Sequence, residues 1–138
     1  MKLKILLLLC LFTVGLSSCE KDTIVQDTPN RTIIYTIQPK DWIAYLNGKG
    51  FKAELDIPEV DQLNVDIEGI LVYLDHPANV DSYIQLPYVY SGFSYSYEQV
   101  VGGVTIDIQS SEFSTVLPTK PNVPIRMKVV LIPSRDVT

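Results

Sequence analysis

Histidine, cysteine, tryptophan and methionine are scarce: one, two, one and two residues in a chain of 138. Two cysteines cannot build a disulfide scaffold. Together with one histidine they fall short of the three or four nitrogen and sulfur ligands that a zinc site normally takes. Basic residues are also few, 11 against 16 acidic, for a net charge of -5. That balance argues against a nucleic-acid partner, which needs a basic face to neutralise phosphates. Apolar residues at helical spacing are nearly absent, and the apolar run near the N-terminus is shorter than the about 18 residues of a membrane-spanning helix. Disorder is excluded, because 46% of the residues are hydrophobic and only 20% are charged. What remains is one domain's worth of foldable chain, at roughly 100–200 residues per domain.

Lys2 and Lys4 precede Ile5 to Leu16, twelve residues without charge. A basic region followed by an apolar region of this length reads as a secretory signal. Leu16-Ser17-Ser18-Cys19 comes next, an aliphatic residue, two small ones and a cysteine. This run resembles the bacterial lipobox, and the resemblance implies cleavage before Cys19, a lipid on its sulfur and an acylated new N-terminus. The membrane is then a partner through the anchor. Each buried CH₂ contributes about 0.8 kcal/mol, and two or more chains hold stably where one does not. Removal of residues 1–18 leaves 120 residues with nine basic and 16 acidic side chains, a net charge of -7. It also removes Cys10, so a lipidated chain has no free thiol and no cysteine nucleophile. Residues 19–31 read as a polar tether, with a reach of at most about 40 Å. Glu20 and Asp22 resemble the surface-export signal of Bacteroidetes lipoproteins, and Asp22-Thr23-Ile24 resembles their short O-glycosylation motif. Residues 32–138 form the domain.

From Thr32 the chain reads as strands. Ile33, Tyr35 and Ile37 alternate with Ile34, Thr36 and Gln38, and Pro39 ends the run. Trp42–Leu46 and Phe51–Ile57 flank the turn signal Asn47-Gly48-Lys49-Gly50. Gly69–Asp75 is apolar on both parities, as in a strand covered on both sides. Ile125–Ile132 sets Met127, Val129 and Leu131 opposite Arg126 and Lys128. One helical turn is expected within Pro58–Asn64, through Val60 and Leu63. Nine prolines and seven glycines punctuate these runs. The pattern predicts an all-β fold, a single antiparallel β-sandwich of about seven strands.

Residues 84–110 are the most informative. Two-residue loops at Ser91-Gly92 and Gly102-Gly103 would pair Tyr90 with Phe93, Tyr88 with Tyr95, Leu86 with Tyr97, and then Tyr97 with Ile108. One face then carries Ile84, Leu86, Tyr88, Tyr90, Phe93, Tyr95, Tyr97, Ile106 and Ile108. The other carries Gln85, Ser94, Ser96, Glu98, Thr105, Asp107 and Gln109, with Glu98 opposite Asp107. Pro87 cannot donate to a ladder and marks an edge or a bulge. Tyr88, Tyr90, Phe93 and Tyr95 gather at one end. They read either as a core closed by tyrosines whose hydroxyls reach water, or as an aromatic platform for a sugar or a partner strand beside Ser91, Ser110 and Ser111.

No catalytic constellation emerges. His76, in Asp75-His76-Pro77, lacks a nucleophile elbow and reads as a turn residue. Asn64, Asp66, Glu68, Gly69 and Asp75 approach the spacing of an EF-hand loop, but the first and last ligand types are wrong and Ile70–Leu74 reads as a strand. No metal site, no cofactor and no catalytic residue is expected.

Asp41-Trp42, Gly69-Ile70-Leu71-Val72-Tyr73-Leu74, Leu86-Pro87-Tyr88 and Lys128-Val129-Val130-Leu131-Ile132-Pro133, in this order and spacing, resemble a family of small Bacteroidetes lipoproteins. Relatives in that family often carry Trp a few residues before the Leu-Pro, where Tyr83 stands here. The resemblance implies a sandwich of immunoglobulin-like character and a place at the outer membrane. The expectation is therefore a non-enzymatic, lipid-anchored binding or assembly module with a glycan or envelope protein as partner. The rivals are a glycan-binding accessory of polysaccharide uptake, a surface-appendage subunit, and a hydrolase with an unrecognised site. Cys19→Ala is expected to abolish incorporation of labelled palmitate; label retained in the mutant, or never taken up by the wild type, would refute the lipobox.

Overall fold

A computed structural model describes residues 28–79, 81–112 and 114–137. The signal, Cys19 and most of the tether lie outside the described residues. The described elements are β1 (Arg31–Ile37), β2 (Trp42–Tyr45), β3 (Gly50–Asp56), α1 (Gln62–Asp66), β4 (Gly69–Asp75), β5 (Tyr83–Gln85), β6 (Tyr88–Tyr90), β7 (Phe93–Val100), β8 (Gly103–Ser110) and β9 (Ile125–Ile132). They form two antiparallel sheets, one in the order β1-β9-β4-β5 and one in the order β2-β3-β8-β7-β6. The protein is an all-β sandwich. The strand order departs from the expected immunoglobulin-like one, because among the described residues the first strand lies beside the last.

Alternation builds the core. Ile70, Val72 and Leu74 of β4 and Met127, Val129 and Leu131 of β9 point inward from one sheet. Ala53 and Leu55 of β3 and Val104, Ile106 and Ile108 of β8 meet them from the other. Trp42 and Ile37 close one margin, both within 2% of full burial. Tyr97 crosses the interior and donates its hydroxyl to the carbonyl of Ile70 at 2.7 Å. Ahead of α1, Val60 is fully buried, and Asp61 caps the helix by accepting from the Asn64 backbone N–H at 3.0 Å. The buried Asn64 side chain returns the bond, accepting from the Asp61 N–H at 2.9 Å, and donates to Glu68. This reciprocal cap satisfies a polar group that burial would otherwise penalise.

Several expectations are corrected. Nine strands, not about seven, are present among the described residues. Part of the reason is that residues 83–90 are not one strand. Leu86 donates its N–H to the Val72 carbonyl at 2.8 Å, prolonging the β4–β5 side, and after Pro87 the chain joins the other sheet as β6. Leu86 therefore does not pair with Tyr97. The second hairpin turns on Val101-Gly102, not Gly102-Gly103. Of its two loop residues only Gly102 has a positive φ, 89°, as a type II turn requires. Gly103 is drawn into the strand, where a Cβ would lie 2.1 Å from the Leu55 carbonyl oxygen. Tyr97 consequently faces Ile106, and Tyr95 faces Ile108. The shift is two residues, so each side chain keeps its predicted face. Glu98 faces Thr105, and Asp107 faces Ser96.

β4 is buried on one face only. Its second face is shaded by cations, with the Lys128 ammonium 4.2 Å from the Tyr73 ring centre and 5.0 Å from that of Tyr83. Long basic side chains thus cover the apolar parity that suggested two-sided burial. The helical turn falls at Gln62–Asp66, later than expected, and Leu63 points into solvent. Among the described residues no helix is long and apolar enough to cross a membrane. Tyr97→Phe should destabilise the fold by about 1–2 kcal/mol, because the Ile70 carbonyl loses its donor. Denaturant unfolding measures this, and an unchanged midpoint would refute the cross-sheet bond.

Candidate functional site

The aromatic residues singled out by the sequence meet where β6 and β7 turn. Ser91 and Gly92 both have positive φ, 50° and 82°, the type I′ hairpin whose twist matches its strands. That turn sets Tyr88 opposite Tyr95 and Tyr90 opposite Phe93, as expected. The Tyr88 and Tyr95 rings stack, with centroids 4.6 Å apart and planes 6° from parallel. Burial pushes both phenols up, Tyr88 the further, so their hydroxyls stay protonated near neutral pH and can donate.

Tyr88, Phe93 and Tyr95 are partly buried and pack against the core. Tyr88, Phe93 and Tyr95 make one wall of a cavity of about 330 Å³. Leu74, Asp75, His76 and Pro77, which end β4, form the second wall, and Ile108 lies beneath. The third wall is the segment between β8 and β9, through Pro118, Pro121, Val123 and Pro124. Three prolines hold that segment extended without a ladder. Gly92 fits against it closely, since a Cβ there would lie 2.9 Å from the Ser114 hydroxyl. Tyr90 is set apart and meets the His76 ring edge-on at 5.2 Å. Ser91, Ser110 and Ser111 are not in the wall. Ser110 donates its hydroxyl to the Val116 carbonyl, and Ser111 donates its N–H to Gly92.

Two polar groups stand at the cavity. His76 is a turn residue, as expected: its Nδ1 accepts from the backbone N–H groups of Ala78 and Asn79, both at 3.1 Å. The neutral ring therefore carries its proton on Nε2. Asp75 accepts from the Arg126 backbone N–H and Nε through Oδ2, each at 3.1 Å. Its Oδ1 is buried and has no partner. The carboxylate sits on the outer-face parity of β4 with Arg126, and an atom sealed from water is sealed from a ligand as well. Sequence reasoning found three of the aromatic residues but missed the wall from Pro118 to Pro124, which has no periodicity to read.

A broader trough of about 780 Å³ crosses the outer face of the five-stranded sheet between Tyr45, Lys52, Glu54, Glu98 and Asp107. It is open to solvent and mostly polar, less suited to hold a small ligand than the cavity. Burial and the Asp107 carboxylate push the Tyr45 phenol up to about 12. Asp107 is itself raised, first by burial and then by Glu98, against the lowering effects of the Tyr45 hydroxyl and Lys52. Among the described residues no group of three or more His, Cys, Asp and Glu is placed to hold a metal ion. Comparison with protein-family models, curated proteins and solved structures gives no match to this chain.

The folded state holds the Asp107 proton more tightly than the unfolded chain does, so ionised Asp107 opposes folding at neutral pH. This penalty is lost as pH falls through the raised pKa. Asp107→Asn should therefore be more stable than the wild type at pH 7, by less than about 1 kcal/mol at this half-exposed site. The advantage should vanish below the ordinary carboxylate range. Thermal unfolding at both pH values is the check, and an advantage that grows on acidification would contradict the assignment.

Proposed function

We propose that this chain is a lipid-anchored module of the cell envelope that binds a small ligand or a side chain of an envelope protein, without a catalytic step. The N-terminal signals Lys2, Lys4 and Leu16-Ser17-Ser18-Cys19 support the location. The observation that carries the binding role is the cavity at the aromatic end. It is largely apolar and framed by three aromatic rings. That lining suits a compact, largely apolar ring. His76 supports a binding role over a catalytic one, because its Nδ1 is committed to its own turn.

The glycan-binding alternative draws on the same aromatic rings, on which a sugar would stack. It is the weaker reading, because the stacking of Tyr88 on Tyr95 covers one face of each ring. An NMR titration distinguishes the two. Phenol is expected to shift the amides of Phe93, Tyr95, Ile108 and Ile125, and methyl glucoside is not. Tyr95→Ala should weaken phenol binding at least about tenfold, the equivalent of 1.4 kcal/mol. The same mutation should cost roughly 1–3 kcal/mol of stability, below the value for a fully buried aromatic. If methyl glucoside alone moves these amides, the glycan reading replaces the proposal. If neither probe does, the cavity is not a binding site.

A further inference from the structure

Each sheet has two edges, and they are unequal. β5 and β6 are three residues long and β2 is four. β1 has seven, Arg31 to Ile37, and pairs on one side only, with β9, among the described residues. Long edges are normally guarded by an inward charge, a lysine, a proline or a bulge, because their free N–H and C=O groups template further pairing. The run from Thr32 to Ile37 has none of these, and its register with β9 is unbroken. At its midpoint Ile34 is 57% exposed on the outer face.

The strand also matches its own reverse. An antiparallel register centred on Ile34 places Thr32 opposite Thr36 of a second copy, Ile33 opposite Tyr35, and Ile34 opposite itself. The pairs between Thr32 and Thr36 are compatible: threonine with threonine on the outer face, aliphatic with aromatic on the core face. These are favoured cross-strand pairs, and no like charges meet. Arg31 falls opposite Ile37. Ile33 and Tyr35 are only half-buried in one copy, so the pairing adds cover to both.

We propose that β1 is an interface between two copies of this chain, which join their four-stranded sheets into one continuous sheet about a two-fold axis at Ile34. About six to eight backbone hydrogen bonds form across it, depending on which parity faces outward. A single seven-residue ladder is small against a standard interface. The association is therefore weak in dilute solution, and tethering both copies to one surface strengthens it by raising their effective concentration.

Cysteine cross-linking of the full chain, extracted in mild detergent, tests both the pairing and its register. The unmodified chain reports any background from Cys10 and Cys19. Directly opposed residues have Cα atoms about 4.5–5.5 Å apart, within reach of a disulfide. Ile34→Cys should give a disulfide-linked dimer roughly tenfold above the Val89→Cys control, which places a thiol on the exposed surface of β6. Thr32→Cys and Thr36→Cys should each give none alone, because in this register like positions lie about 14 Å apart along the strands. Mixed together they should cross-link. All three positions are exposed, so the variants should keep the wild-type melting temperature, and the threonine pair stands independently of Ile34→Cys. If Ile34→Cys cross-links no better than Val89→Cys, the edge does not pair with a second copy and the proposal fails. Cross-linking of Thr32→Cys alone would overturn the register.

Discussion

The arrangement of the aromatic end depends on one buried side chain, Leu86. Its backbone continues the ladder of β4 and β5, yet two residues later the chain is paired in the opposite sheet. The side chain is only 2% exposed, fixed in the core between the two sheets. Past Pro87 the chain leaves this sheet and pairs in the other. Tyr88 therefore starts β6 beside Tyr95 while Leu74 and Asp75 finish β4 across the gap. The cavity lies in that gap. A straight strand from Ile84 to Tyr90 would have kept β6 in the first sheet and left Tyr95 without its stacking partner.

The sequence carried the parity of the strands better than their register. Alternation depends only on which side chains prefer burial, and Tyr95, Tyr97, Ile106 and Ile108 satisfied it in either register. The position of the β7–β8 turn depended instead on a backbone approach, between Gly103 and the Leu55 carbonyl, that no local pattern encodes. The same limit applies to the site. Tyr88, Phe93 and Tyr95 stood out as a cluster because strand neighbours two apart share a face. Their opposing wall comes from residues 74–77 and 118–125, which reach them only through the long-range order of the sheets. The apolar second parity of β4 misled for a different reason, since Lys128 and Arg126, whose cationic groups lie over Tyr73 and Tyr83, come from a strand some fifty residues later.

The two outer faces differ in chemistry although both point to water. That of the four-stranded sheet carries Arg126 and Lys128 over tyrosine rings, with Asp75 and Asp81 on the arginine. That of the five-stranded sheet gathers Glu54, Glu98 and Asp107 around Lys52. The acidic excess of the whole chain is thus uneven over the surface. Burial first, and the neighbouring carboxylates after it, raise the hold of Asp107 and Tyr45 on their protons there.

The placing of β1 also has a mechanical meaning. Among the described residues it is the first strand and it hangs on a single neighbour, β9, through seven paired residues. A load applied through the N-terminal segment enters at Arg31, at the end of this one ladder, while β9 stays clamped by β4 on its far side. Peeling β1 breaks its bonds one after another, and the remaining strands bear little of the strain. The domain would then lengthen in two stages, an early release of the edge strand at low force and a later rupture of the sandwich, so that the strand acts as a compliant link between the segment before it and a stiffer body.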